Sequence, residues 1–113
     1  MAKNYRLSAA ALRPIVIGFG SCIASDAITV QGEKVGFMYR ESPEESGDSG
    51  WRFLSGTETQ DFLNSPDNLA IYDVNTIANY DPAIVPLLAS PIGSAFERLP
   101  GSDIFEPADA PSG

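Results

Sequence analysis

Residues Val35–Phe53 read VGFMYRESPEESGDSGWRF, two aromatic-rich stretches joined by an acidic connector. In the first, Val35, Phe37 and Tyr39 alternate with Gly36, Met38 and Arg40, the period-two pattern of a strand. Apolar groups fall on both faces, which predicts a central strand covered at least partly on each side. Trp51 and Phe53 alternate with Arg52 and Leu54 in the second stretch. Between them Pro43, Gly47 and Gly50 cannot continue a strand, and the simplest pairing is an antiparallel hairpin. Counting along each strand places Arg40 and Arg52 on the non-aromatic parity, near each other, with Glu41, Glu58 or Glu97 as carboxylate partners.

Outward from this hairpin the chain offers only short elements. Upstream, Pro14 ends any early helical turn, Ser21–Ser25 reads as extended, and Ala27–Val30 reads as a short strand before the turn QGEK. Downstream, Thr57 and Gln60 have capping-box spacing, with Phe62 and Leu63 as apolar contacts and Pro66 as the stop. LAIYDV is a further strand candidate, and NTIANY a single turn. Asp81 and Pro82 occupy N-cap and first-turn positions, and Ile84, Leu87 and Leu88 have helical spacing. Pro86 makes that helix short, kinked or partly 3₁₀. A last strand is expected around Ser94–Leu99. The fold class is therefore α+β: an antiparallel sheet of four to five strands with two to three short helices on it. The divisions are an N-terminal segment over 1–20, the domain over 21–99, and an acidic, partly disordered tail over 100–113 on which Ile104 and Phe105 are the groups able to dock.

At 113 residues the chain suffices for one domain with its own core. Seven basic against fifteen acidic residues leave a formal charge of −8, which argues against a nucleic-acid partner and suits a basic one. There is no histidine, which removes the usual general base near neutral pH, the commonest zinc ligand and the familiar nucleophilic triads. The one cysteine, Cys22, lies in an apolar run and reads as a buried thiol. Arg13 and Pro14 interrupt the N-terminal apolar run that a leader would need, and no run of eighteen apolar residues exists, so a cytoplasmic protein without a membrane partner is expected.

Three chemistries can be tested on the connector and the other carboxylates. Glu44, Glu45, Asp48 and Ser49 supply oxygens, but the alternating spacing and distal glutamate of a calcium loop are missing. Glu41, Glu44, Glu45, Asp61, Asp73 and Asp81 are too many, and too often in turns, to nominate an acid/base pair. The G-x-G at Gly18–Gly20 lacks a third glycine, and no lysine stands where a phosphate loop places one. No cofactor, metal or catalytic residue is assigned. The candidate partner-binding residues are Glu41, Glu44, Glu45 and Asp48 on a mobile acidic loop, with Arg40 and Arg52 beside them as sheet anchors or partner contacts.

The ordered run VGFMYRE, DSGWRFLSGTE and NLAIYDVNTIANYDPAIVPLLASPIGSAFER resembles a bacterial immunity protein 33-like family, formerly a domain of unknown function, over roughly Ser21–Arg98. Met38, Tyr39, Arg40, Glu41 and Asp48 to Phe53 carry the resemblance, and the family has no binding roles to transfer to them. The resemblance implies a small cytoplasmic protein of a toxin–immunity locus that binds and silences a toxin domain. Without it, the residues fit two readings: an inhibitor of a basic partner, or a standalone binding or regulatory domain. A carboxylate hydrolase is the least supported.

Overall fold

The computed structural model describes residues 3–111. Six strands form one sheet: β1 (Ser21–Ser25), β2 (Phe37–Arg40), β3 (Asp48–Leu54), β4 (Leu69–Asp73), β5 (Ala95–Arg98) and β6 (Phe105–Pro107), in the order β4-β1-β3-β2-β5-β6. Three α-helices are short: α1 (Asp26–Thr29), α2 (Gln60–Asn64) and α3 (Val74–Tyr80). Turns of 3₁₀ helix occupy Ala9–Ala11, Pro66–Asn68 and Pro82–Leu87. The α+β class is as expected, with one strand more than the sequence indicated.

The hairpin forms as its alternation predicts, pairing Phe37 with Leu54 through Arg40 with Trp51. The sheet is mixed rather than antiparallel, because β3 pairs with β1 in parallel on its other side. β3 is thus a central strand, and Ser49 to Phe53 are all buried. Ala27–Val30 is not a strand. Ser25 ends β1 and accepts the Ala27 amide at 3.1 Å, capping α1, and Ala27, Ile28 and Thr29 are buried in succession rather than alternately. β6 comes from the tail, and Phe105 packs against the core while Ile104 stays exposed.

One face of the sheet carries the core. Met38, Trp51 and Phe53 meet Ile28, Val74, Ile77, Ile84 and Leu88, all fully buried. The indole of Trp51 donates to the Leu88 carbonyl at 3.1 Å, so the one buried N–H of the aromatic core is satisfied. α3 is longer than the single turn expected: Asp73 caps it at Asn75, and Val74, Ile77 and Ala78 make its buried stripe. Asp81 caps the following turn, and Pro86 keeps that turn 3₁₀. α2 begins two residues later than the capping-box spacing suggests. Thr59 accepts the Phe62 amide, while Glu58 accepts the amides of Ser55 and Gly56.

Candidate functional site

The connector is built from the base upward by one buried cation. Arg52 is 4% exposed and points to the face of the sheet opposite the core. Its Nη1 and Nη2 donate to the two carboxylate oxygens of Asp48 at 2.9 and 2.8 Å, a bidentate pair, and its Nε donates to Glu41 at 2.6 Å. Asp48 also accepts the amides of Glu44 and Gly50, both at 2.9 Å. The bond from Arg52 holds its carboxyl well below the usual range; burial opposes this, and the two amides add to it. Asp48 in turn is the main reason the Arg52 guanidinium is raised above its ordinary value.

Glycine closes the loop. Gly50 sits at φ +88°, and a Cβ there would run into the Glu41 carbonyl, which itself accompanies the bond from the Glu41 amide to Gly50 at 2.9 Å. Gly47 passes its carbonyl to the Ser21 amide at 2.8 Å, tying the connector to β1. The expected mobile acidic loop is therefore anchored at both ends by hydrogen bonds. Asp48 is also the first residue of β3 rather than a loop acid, and its oxygens are consumed inside the molecule. Glu44 and Glu45 are exposed and form no ion pair among the described residues.

Arg40 and Arg52 do not share a face. The register sets Arg40 against Trp51 and Tyr39 against Arg52, so one guanidinium lies on the core side and the other on the outer side. Arg40 finds carbonyls instead of a carboxylate. It donates to Ser49 at 2.9 Å and Ser90 at 2.8 Å, with its guanidinium carbon 5.8 Å from the Trp51 ring centre. Of the named carboxylates, Glu41 partners Arg52, Glu58 is taken by backbone amides, and Glu97 makes no ion pair among the described residues.

The sequence reading missed a second arginine cluster. Asp81, 1% exposed, accepts the Val35 amide at 3.0 Å and Ala83 at 3.2 Å, and Arg98 donates to the same oxygen as Val35. Arg98 also donates to the carbonyls of Val35 at 2.7 Å and Ser102 at 3.0 Å, to Asp103 at 2.9 Å, and lies over Phe105. The signal for it was Asp81 itself, which reads fully as a cap and so gave no cause to seek a cation. Cys22 is buried, with its thiol pushed up by burial and then by Asp73, an unreactive setting.

The outer face of the sheet is the part left open. Across the strands Ile71, Ile23, Arg52 and Tyr39 form one row. Phe37, Leu54 and Leu63 line an open groove of about 670 Å³ together with Glu58 and Glu97. Burial pushes the Glu58 carboxyl up, but the bonds from Ser55 and Ser25 outweigh it and leave it below the ordinary value. Among the described residues no three His, Cys, Asp or Glu side chains are placed to hold a metal, and no helix is long and apolar enough to cross a membrane.

Comparison with known families gives a match. The model for the Immunity protein Imm33 domain covers residues 22–107, from β1 through β6. No curated protein and no solved structure matches.

Proposed function

We propose, from the premise that this chain belongs to the Imm33 immunity protein family, that it binds a basic toxin domain in the cytoplasm and blocks it without catalysis. The observation that carries this is the direction in which the charges point. Arg40, Arg52 and Arg98 are spent on internal acceptors, and Lys3 pairs with Asp26 at 2.8 Å. Glu44, Glu45, Glu97 and Glu106 remain exposed. Arg6, Arg13 and Lys34 are exposed as well, but exposed carboxylates outnumber them, and a surface with that excess attracts a basic partner and accelerates encounter with it.

In this reading Glu44 and Glu45 make the contact, Glu41 contributes at its edge, and Asp48, Arg40 and Arg52 hold the frame. The test is co-expression with the toxin domain encoded beside the gene, followed by binding at several salt concentrations. Protection of the cells and an affinity that falls with ionic strength are expected. Reversing Glu44 and Glu45 to lysine should weaken binding by about tenfold or more, since like charges across an interface cost several kcal/mol. Unchanged affinity in that double variant removes the connector from the interface, and absence of protection by the native chain removes the immunity reading. A second reading, a small-ligand domain, is favoured by the groove at Phe37, Leu54 and Leu63, whose volume lies in the range of ligand pockets.

A further inference from the structure

The two edges of the sheet are treated differently. β6 is three residues long, carries exposed Glu106, and ends in Pro107, which has no N–H to offer. Short length, charge and proline are the devices by which natural sheets prevent another strand from adding. β4 has none of them except a terminal carboxylate. It runs for five residues in unbroken register with β1 and has no strand on its other side among the described residues. Its central residue, Ile71, is 64% exposed.

The backbone of β4 is oriented for pairing. The Val74 amide donates to the Gly20 carbonyl at 2.9 Å, continuing the β1–β4 ladder by one pair. In an antiparallel ladder the hydrogen-bonding residues alternate, so residues 70, 72 and 74 turn their amides and carbonyls to β1, and residues 69, 71 and 73 turn theirs outward. The Leu69 amide closes the preceding 3₁₀ turn at Pro66. The amides of Ile71 and Asp73, with the carbonyls of Leu69 and Ile71, are left facing solvent as a ready template.

We propose that the β4 edge is a strand-addition site, and that its occupant is a basic, extended segment of the partner protein. The inference deepens the reading of the chain as an inhibitor of a basic partner and rests on it. Charge selects the occupant. Exposed Asp67 precedes β4, exposed Asp73 ends it, and Glu44 and Glu45 share with Ile23 and Ile71 the lining of a small cavity beside it that contains no lysine or arginine. A second copy of this chain pairing about Ile71 would bring these carboxylates against their own duplicates, at a formal charge of −8 per copy. A strand that alternates apolar and basic side chains would instead set the former against Ile71 and the latter among the acids, with main-chain bonds supplying affinity.

The test does not require the toxin. The full chain, labelled for amide NMR, is titrated with a short peptide alternating valine and lysine, and separately with one alternating valine and glutamate. The lysine peptide is expected to shift the amides of Ile71 and Asp73 and slow their exchange, with an effect that fades as salt rises; the glutamate peptide should do neither. Ile71→Pro removes an outward N–H while leaving the ladder to β1 intact, and should weaken the peptide by about tenfold, the worth of one main-chain hydrogen bond at the upper end of its range. Perturbation confined to the groove at Phe37 and Leu63, equal response to both peptides, or an Ile71→Pro variant that binds as well as the native chain overturns the proposal. So does a concentration-dependent shift of Ile71 without peptide, which would make the occupant a second copy. These outcomes are separate from failure of toxin protection, which bears on the immunity reading alone.

Discussion

Asp81 and Asp48 each accept from an arginine and from two backbone amides, Asp48 meeting its arginine through both oxygens and Asp81 through one, and both pairs are buried, yet they join very different parts of the chain. Asp81 with Arg98 links Val35 before β2, the turn after α3, the end of β5 and, through Asp103, the approach to β6. Asp48 with Arg52 is a four-residue contact within β3, extended to Glu41, whose side chain is 45% exposed. The same chemistry serves as a staple between elements in one place and as the frame of a surface loop in the other. What distinguishes them is how much structure must move when the carboxylate is lost, and whether water can enter to replace it.

The sharpest way to break the comparison is Asp81→Asn. Both oxygens of Asp81 only accept, so an amide nitrogen in either place would face a donor, and Arg98 would keep only the exposed Asp103 as carboxylate partner. Removing one member of a buried pair costs about 3–5 kcal/mol, and urea unfolding should show a loss of that size. A loss under about 1 kcal/mol would mean that the cluster relaxes freely and is no staple. The connector itself should report little change beyond the general loss.

Asp48→Asn comes next, at about 2 kcal/mol, the range for hydrogen bonds to a charged group, because the connector lies at the surface and can admit water. It has a pH signature. The folded carboxyl is held below its unfolded value near 3.9, so its contribution is present above that pH and is lost as pH falls through it toward the folded value. The stability gap between native chain and variant should therefore narrow below about pH 4. A gap that widens on acidification would contradict the assignment. Through the freed Glu44 amide, the same variant should loosen the connector and speed its amide exchange, which Asp81→Asn should not do selectively.

The contrast also shows where the sequence can be read. The β2–β3 hairpin was legible because alternation is a local property, and the Asp81–Pro82 cap because capping spans three residues. The hairpin left Glu41, Glu58 and Glu97 open as carboxylate partners of the two arginines, and the structure pairs Glu41 with Arg52. The faces of Arg40 and Arg52 were not legible, because parity along each strand says nothing about register across them, and a one-residue offset exchanges faces. The parallel pairing of β1 with β3 and the reach of Arg98 to Asp81 are set by tertiary packing between segments that carry no mutual signal. β6 was hidden by Pro107 and by its length. At the site, exposure divided the candidates in a way that composition could not: Glu44 and Glu45 face solvent, while Asp48, Arg52 and Arg40 face inward.

The smallest effect belongs to Glu41→Gln, and it tests whether the surface end of the connector cluster contributes to stability at all. The Glu41 carboxylate accepts only from Arg52, whose other nitrogens are already satisfied by Asp48 and the Trp51 carbonyl. With the side chain nearly half exposed, water can take its place, and ion pairs of that kind are worth about 0.2–1 kcal/mol. A glutamine oxygen can still accept from Arg52, so the loss should sit at the lower end and shrink further in salt. The loss in the double variant with Asp48→Asn should exceed the sum of the two single losses, because Glu41 becomes the one carboxylate left on a buried guanidinium. Simple additivity would show that Asp48 alone anchors Arg52 and that Glu41 is free to turn toward a partner.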